Sequence, residues 1–407
     1  MVSKTVQIFF EFFIILFLTI LNLTILSDIT YIFFLNTVLL YFGIMIKNSS
    51  FETIKDVLCC KCTSGKNIIT YYRASTNFIS AICILAVDFH VFPRRFAKTE
   101  LYGCGLMDLG VGFFICANGL VHNRKSHQTK TKVLKNFLNC GVLFMFGFIR
   151  LISTKTIEYQ EHLTEYGTQW NFFFTLGCCK MFIYLAELLF QNKNFLWLCI
   201  VTGIIHEAIL SLGIREWIFS NEPRNTFLSA NREGLFSCLG YLCIYFAATC
   251  LGKFLTFSSS MKYQNVITFF VPLSFFGWVT VIFFNHNFGI SRRLANSGYI
   301  IWVLSLTVNI LLLLTIIELS LIILKNEKPG KINTILRVPF LLQSINANGL
   351  FFFLISNLLT GLINVFFQTF LLNEIVSVII IVIYMTIVCS VTCYFFQKEI
   401  LLRFYFK

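Results

Sequence analysis

Residues 299–324 read YIIWVLSLTVNILLLLTIIELSLIIL, an apolar run carrying a single charge at Glu318. As a helix it would rise about 1.5 Å per residue, which carries it across the roughly 30 Å hydrocarbon core of a bilayer with some tilt. A helix that is apolar all round has no wet face and belongs in lipid or a deep core. Runs of the same kind recur at 7–26, 31–46, 78–92, 104–121, 134–153, 171–190, 195–212, 233–251, 265–284, 349–371 and 375–395. Residues 337–345, containing Pro339, add a short thirteenth or interfacial candidate. The expected fold is all-α: a polytopic membrane protein with about 12–13 transmembrane helices, forming one multi-span domain over residues 1–407. Outer-membrane strands alternate polar and apolar over about ten residues, and these runs are continuous instead.

Composition agrees. The chain of 407 residues is 57% hydrophobic and only 13% charged, against about a quarter charged in soluble domains. The net charge of +13 is scattered over short inter-helical loops, with no aromatic-interleaved basic domain, so no nucleic-acid partner is expected. Of the 15 cysteines many lie inside apolar runs, among them Cys83, Cys116, Cys199, Cys243, Cys389 and Cys393, where cysteine acts as a small hydrophobe. Cys59, Cys60 and Cys62 cluster in a polar loop. With no second cluster to complete a ligand set they make a poor zinc site; S-acylation or inert thiols fit better, and no metal is expected. The run 7–26 exceeds a signal-peptide core and no small-residue cleavage site follows it, so it reads as a first span.

Lys and Arg concentrate on alternate loops, chiefly 47–77, 122–135, 325–337 and the C-terminal tail. These are expected on the cytosolic side. Arg94, Arg95, Lys98, Lys155, Arg215, Arg224, Arg232, Arg292 and Arg293 fall on the other side, with Glu158, Glu161, Glu165, Glu216, Glu222 and Glu233. Charge placed against the topological trend, beside aromatic residues at span ends, points to a site rather than a topology signal.

Six segments carry that polarity. In LAVDFHVFPRRFAKTELYG (85–103), Asp88 sits near a span end and Lys98 follows the Pro93 turn. A carboxylate near an ammonium at a membrane boundary suits deprotonation of a hydroxyl, while helix capping and headgroup contact explain the same residues without chemistry. In YGCGLMDLGVGFFICANGL (102–120) the glycines thin a helix for close packing, and Asp108 needs a partner. In EHLTEYGTQWNFFFTL (161–176), Glu161, His162, Glu165 and Tyr166 form either an acid–base set or a polar rim. In ANREGLFSCLGY (230–241), Glu233 favours a helix start, and Arg232 beside it needs solvent or an anion. The pair Arg292–Arg293 in SRRLANSGYIIWV (291–303) suits phosphate through forked hydrogen bonds or meets lipid headgroups. In NGLFFFLISNLLTGLIN (348–364), Asn357, Thr360 and Asn364 give one span a polar face that continues to Gln368. That face serves inter-helix bonding or a polar pocket. His206 and Glu207, and Lys180 and Glu187, are further intramembrane polar groups.

These blocks, in this order, resemble the glucosaminyl-phosphatidylinositol acyltransferase family of GPI-anchor biosynthesis (the PIG-W family). The resemblance covers about residues 71–369. It implies a multi-pass endoplasmic-reticulum enzyme that moves a fatty acyl chain from acyl-CoA, a co-substrate rather than a bound cofactor, to an inositol hydroxyl of glucosaminyl-phosphatidylinositol. It further implies catalytic roles for Asp88 and Lys98. Arg94, Arg95, Arg232, Arg292 and Arg293 become candidates for the phosphates of the lipid or of CoA. Asp108, Asn118, Trp170, Asn171, Asn231 and Asn357 become further substrate-binding candidates. One departure stands out: Gln169 occupies a position where family members commonly carry histidine, which favours positioning or packing there. Two other functions remain compatible with the residues: acylation of another lipid alcohol, and lipid transport. Transport is disfavoured by the lack of inverted repeats.

Overall fold

The computed structural model describes residues 4–48, 51–60, 62, 65–122, 130–156, 163–190, 195–258, 261–325 and 337–402. Those residues form helices and no strand, and eleven of the helices are long and apolar enough to cross a membrane. The protein is an all-α, multi-pass membrane protein.

Several boundaries differ from expectation for physical reasons. The run expected as a span over 78–92 belongs to a helix over Gly65–Ala86 that starts earlier and stops before Asp88. Its N-terminal half looked like a polar loop because Lys66, Asn67, Arg73 and Asn77 interrupt the apolar pattern. Inside the fold, Arg73 Nη1 donates to Asn346 Oδ1 at 2.7 Å and Asn77 Nδ2 donates to the Arg73 carbonyl at 2.9 Å. The run expected at 104–121 is a shorter apolar helix over Leu106–Leu120 and falls below spanning length. The run expected at 349–371 ends as a helix at Phe366. The thirteenth candidate is a short helix, Phe340–Ala347, begun by Pro339. Glu11 accepts from its Leu341 N–H at 2.8 Å, satisfying one of the amides that a helix start leaves unbonded.

The contacts divide the chain into two compact units. The first comprises residues 1–97, 255–271 and 309–403. Here helix Gly65–Ala86 packs against Phe340–Ala347, Gly349–Phe366 and Glu374–Gln397. The Tyr384 hydroxyl bridges three of them, lying 3.3 Å from the Ala81 carbonyl and 3.2 Å from that of Ser356. The polar face of Gly349–Phe366 is thus used for inter-helix bonding. Thr360 meets Tyr384, and Asn364 Nδ2 donates to Asp88 Oδ2 at 2.8 Å.

The second unit comprises residues 98–254 and 272–308. Helix Lys130–Thr156 packs along Phe172–Leu189, and the Leu106–Leu120 helix nests against Arg232–Ser258. Glycine makes that second approach feasible. A Cβ on Gly119 would lie 2.6 Å from the Ala248 Cβ and 2.9 Å from the Tyr245 carbonyl oxygen. Close packing is therefore what the glycine-rich stretch delivers.

Candidate functional site

The expected site residues divide between the units. Asp88, Arg94, Arg95 and Asn357 lie in the first; Lys98, Asp108, Asn118, Trp170, Asn171, Asn231, Arg232, Arg292 and Arg293 lie in the second.

In the first unit the Gly65–Ala86 helix ends in turns. The Asp88 N–H bonds to the Leu85 carbonyl at 3.2 Å, and Pro93 opens a single 3-10 turn over Arg94–Phe96. Arg94 Nη1 donates to the Val87 carbonyl at 3.1 Å, folding the FPRRF turn back onto the segment that carries Asp88. Arg95 pairs with Asp28 at 2.6 Å. Asn357 donates to the Phe353 carbonyl of its own helix at 2.7 Å.

In the second unit the site is an ionic network built from loop and short-helix residues, Lys98, Thr99, Asp108, Glu165, Arg224, Arg292 and Arg293, together with Arg232 and Glu233 at the start of a span. Its first centre is Asp108, fully buried at the start of the Leu106–Leu120 helix. Its carboxylate accepts from Thr99 N at 3.1 Å, Thr99 Oγ1 at 2.9 Å, Gly105 N at 3.0 Å and Arg292 Nε at 2.8 Å. The intramembrane-looking aspartate thus has its partner, a buried arginine 184 residues away in sequence. Tyr299 adds a hydroxyl bond to the Asp108 carbonyl at 2.8 Å.

Lys98 immediately precedes Thr99, so the Asp108 anchor fixes the backbone beside it. The Lys98 ammonium stands 2.5 Å from Glu165 Oε1. Burial pulls the Lys98 pKa below the ordinary lysine value. Arg292 and Arg150 push the same way, and Glu165 opposes them. For Glu165, burial works to raise the pKa, but Lys98, Arg292 and Arg150 outweigh it and hold the carboxyl below its usual range. The outcome is an ionised pair within a cation-rich cluster, suited to a developing oxyanion or a phosphate. Burial pushes the neighbouring Tyr166 phenol well up, so it stays a neutral donor.

A second centre is Glu233, also fully buried. Arg224 grips it in a forked pair at 3.0 and 2.6 Å, Arg293 reaches it at 2.7 Å, and Arg232 Nε lies 3.9 Å away. Arg232 lies over the Trp217 ring at 5.4 Å and donates through Nη2 to the Ser220 carbonyl at 2.5 Å. These bonds tie the loop before Arg232 to the Arg292–Arg293 turn.

That turn is itself held. The His206 Nε2 lies 3.1 Å from both the Leu294 and Ala295 carbonyl oxygens. Two carbonyls can only accept, so this nitrogen carries the proton. Ala295 takes a left-handed φ of 47°, and a Cβ on Gly240 would lie 2.2 Å from the Ala295 oxygen. The turn is therefore pinned from two sides, and its two arginines are aimed at different carboxylates.

Other expected residues serve locally. Asn171 caps the Phe172–Leu189 helix, accepting from Phe173 N at 3.0 Å and donating to the Gly147 carbonyl at 2.9 Å. Trp170 Nε1 donates to Thr175 Oγ1 at 2.9 Å. Asn231 accepts from the Gln169 N–H at 2.9 Å, so the backbone of position 169 is what the fold uses. Asn118 donates to the Phe114 carbonyl at 2.8 Å. Glu187 meets His122 at 3.1 Å, a partner not anticipated from sequence. Glu158, Glu161 and His162 lie outside the described residues. Thr99 and Arg150 were absent from the expected site residues, and Glu165 was expected only as part of an acid–base set or a polar rim, without its partner Lys98.

Fold and network together define a multi-pass helical membrane protein with a buried ionic network gathered at span ends and the segments between them. The chain belongs to the GWT1 family, whose profile matches residues 1–395. It is 36% identical to GPI-anchored wall transfer protein 1 of Schizosaccharomyces pombe over 329 residues, which is 76% of this chain and 70% of that protein. With the protein of the same name from Yarrowia lipolytica it shares 32% over 373 residues, 87% of this chain and 77% of the relative. With that of Saccharomyces cerevisiae it shares 34% over 375 residues, 83% and 75%. The family resemblance read from the motifs is borne out.

Proposed function

We propose that the protein is an acyl-CoA-dependent O-acyltransferase that acylates the inositol ring of glucosaminyl-phosphatidylinositol in the endoplasmic-reticulum membrane. The coarser part, a role in GPI-anchor biosynthesis, follows from the family. The observation that supports the chemistry is Lys98. It is the last residue of the motif beginning at Asp88, lies outside the spans, faces Glu165 at 2.5 Å, and has its pKa lowered by burial first and then by Arg292 and Arg150.

In this reading Asp88 takes the proton of an inositol hydroxyl as its oxygen attacks the thioester carbonyl. Lys98 stabilises the resulting oxyanion. Collapse breaks the carbon–sulfur bond, and the CoA thiolate leaves with the proton returned from Asp88. The products are the inositol ester and CoA thiol. Asn364 orients the Asp88 carboxylate through its 2.8 Å bond. Arg292 and Arg150 add positive potential near Lys98.

The test is transfer of labelled acyl from acyl-CoA to glucosaminyl-phosphatidylinositol by the purified protein. Asp88→Asn and Lys98→Ala are each expected to lose at least about 100-fold in rate while remaining inserted and abundant. Near wild-type transfer by either variant would remove that residue from the chemistry. Transfer to another lipid alcohol instead would reassign the acceptor.

A further inference from the structure

In the first unit a groove of about 610 Å³ opens between the turn at Asp28 and the FPRRF turn. It is lined by Asp28, Thr30, Tyr31, Phe34, Arg95 and Phe96. We propose that this groove seats the headgroup of the lipid acceptor, with Arg95 taking its phosphodiester and Asp28 its glucosamine ammonium. The inference rests on the acceptor proposed above.

Charge complementarity carries it. Arg95 and Asp28 are 2.6 Å apart, yet their side chains are 55% and 79% exposed. Exposed pairs of this kind contribute little net stability and are screened by salt, so parting them costs little. A ligand bearing only a phosphate would meet Asp28 as a repulsive neighbour, and one bearing only a cation would meet Arg95. A headgroup with both charges satisfies each partner in turn. The guanidinium fork matches phosphate geometry, and its packing over Phe96, 5.1 Å from the ring centroid, braces it.

The rest of the groove fits the same occupant. Tyr31 and Phe34 begin the helix Thr30–Asn48, whose apolar residues are exposed along its length: Phe33, Leu35, Leu39 and Leu40 are all open. Acyl chains can lie along that face while the headgroup stays at the turn. In glucosaminyl-phosphatidylinositol the inositol lies between phosphodiester and glucosamine. Holding both ends therefore presents the ring hydroxyls in the middle. The Arg94–Val87 bond folds the groove's FPRRF wall onto the segment that carries Asp88, the proposed base.

The experiment uses full-length protein in phosphatidylcholine nanodiscs, with glucosaminyl-phosphatidylinositol or its N-acetylated form as acceptor. Arg95→Gln is expected to raise the apparent KM for both lipids about tenfold, as loss of one charge-assisted contact does. The KM for acyl-CoA should stay within about twofold. Asp28→Asn is expected to raise KM for the free amine and to leave the N-acetylated lipid unchanged. Unchanged KM values in both variants would overturn the groove while leaving the activity standing. An equal rise for both lipids in Asp28→Asn would overturn the ammonium assignment. Competition by phosphatidylethanolamine at equal concentration would make the groove a general phospholipid site and overturn the commitment to the acceptor. If wild-type protein acylates neither lipid, the proposed function falls. Retention of the acceptor over phosphatidylcholine, measured by native mass spectrometry and lost in Arg95→Gln, would still support the groove, and equal retention by both proteins would overturn it.

Discussion

Removing the charge on Asp108 is expected to destabilise the second unit more than removing its partner. In Asp108→Asn one carboxylate oxygen becomes an NH2 donor facing Arg292 Nε or the Thr99 and Gly105 donors, which stood at 2.8 to 3.2 Å. Arg292, only 4% exposed at its side chain, keeps a buried charge without a carboxylate. Breaking a buried pair in this way costs about 3–5 kcal/mol. In Arg292→Met the carboxylate keeps its Thr99 and Gly105 donors, so the cost is about 1–3 kcal/mol. The double variant leaves neither charge buried and should cost no more than Asp108→Asn alone. That gives a coupling of at least about 1–3 kcal/mol, in the range seen for residues in contact. The assay is the Tm of detergent-solubilised protein, followed by size-exclusion recovery after heating. At about 2–4 °C per kcal/mol, Asp108→Asn should lower Tm by roughly 6–20 °C. A change below about 2 °C, or strictly additive single effects, would refute the pairing as the source of stability.

Two further outcomes follow from the same network. The alkaline limb of acyl transfer should lie below the ordinary lysine range, because burial first, and Arg292 and Arg150 next, lower the Lys98 pKa. Glu165→Gln removes a group that raises that pKa and should move the limb to lower pH. Arg150→Gln removes one that lowers it and should move the limb up; pH–rate profiles showing shifts of the same sign would contradict the assignment. His206→Ala removes the donor to two carbonyls of the Arg292–Arg293 turn and should cost about 1–3 kcal/mol. His206→Gln, which keeps a donor, should restore part of the Tm; equal loss in both would mean that packing rather than the hydrogen bonds holds the turn.

Much was legible from sequence because lipid permits so few solutions. Backbone groups in hydrocarbon must bond internally, so a run such as 299–324 can only be a helix, and the all-α class follows from counting runs. The boundaries of Phe172–Leu189 and Glu374–Gln397 fall within a residue or two of the apolar limits for the same reason, with Asn171 and Asn373 as recognisable caps. The helix Gly65–Ala86 was misjudged because its polar half is made affordable by Asn346, a neighbour distant in sequence. Asp88 at a span end and Lys98 after the Pro93 turn stood out as candidates from sequence, and the family resemblance gave them their proposed catalytic roles. The pairing of charges was the part that sequence could not carry. Asp108 chose Arg292, Lys98 chose Glu165, and Glu233 gathered three arginines, across separations of 184, 67 and up to 60 residues. A buried charge takes whichever opposite charge the packed helices bring within bonding distance. Periodicity and composition set which residues face inward; only the three-dimensional packing decides which of them meet.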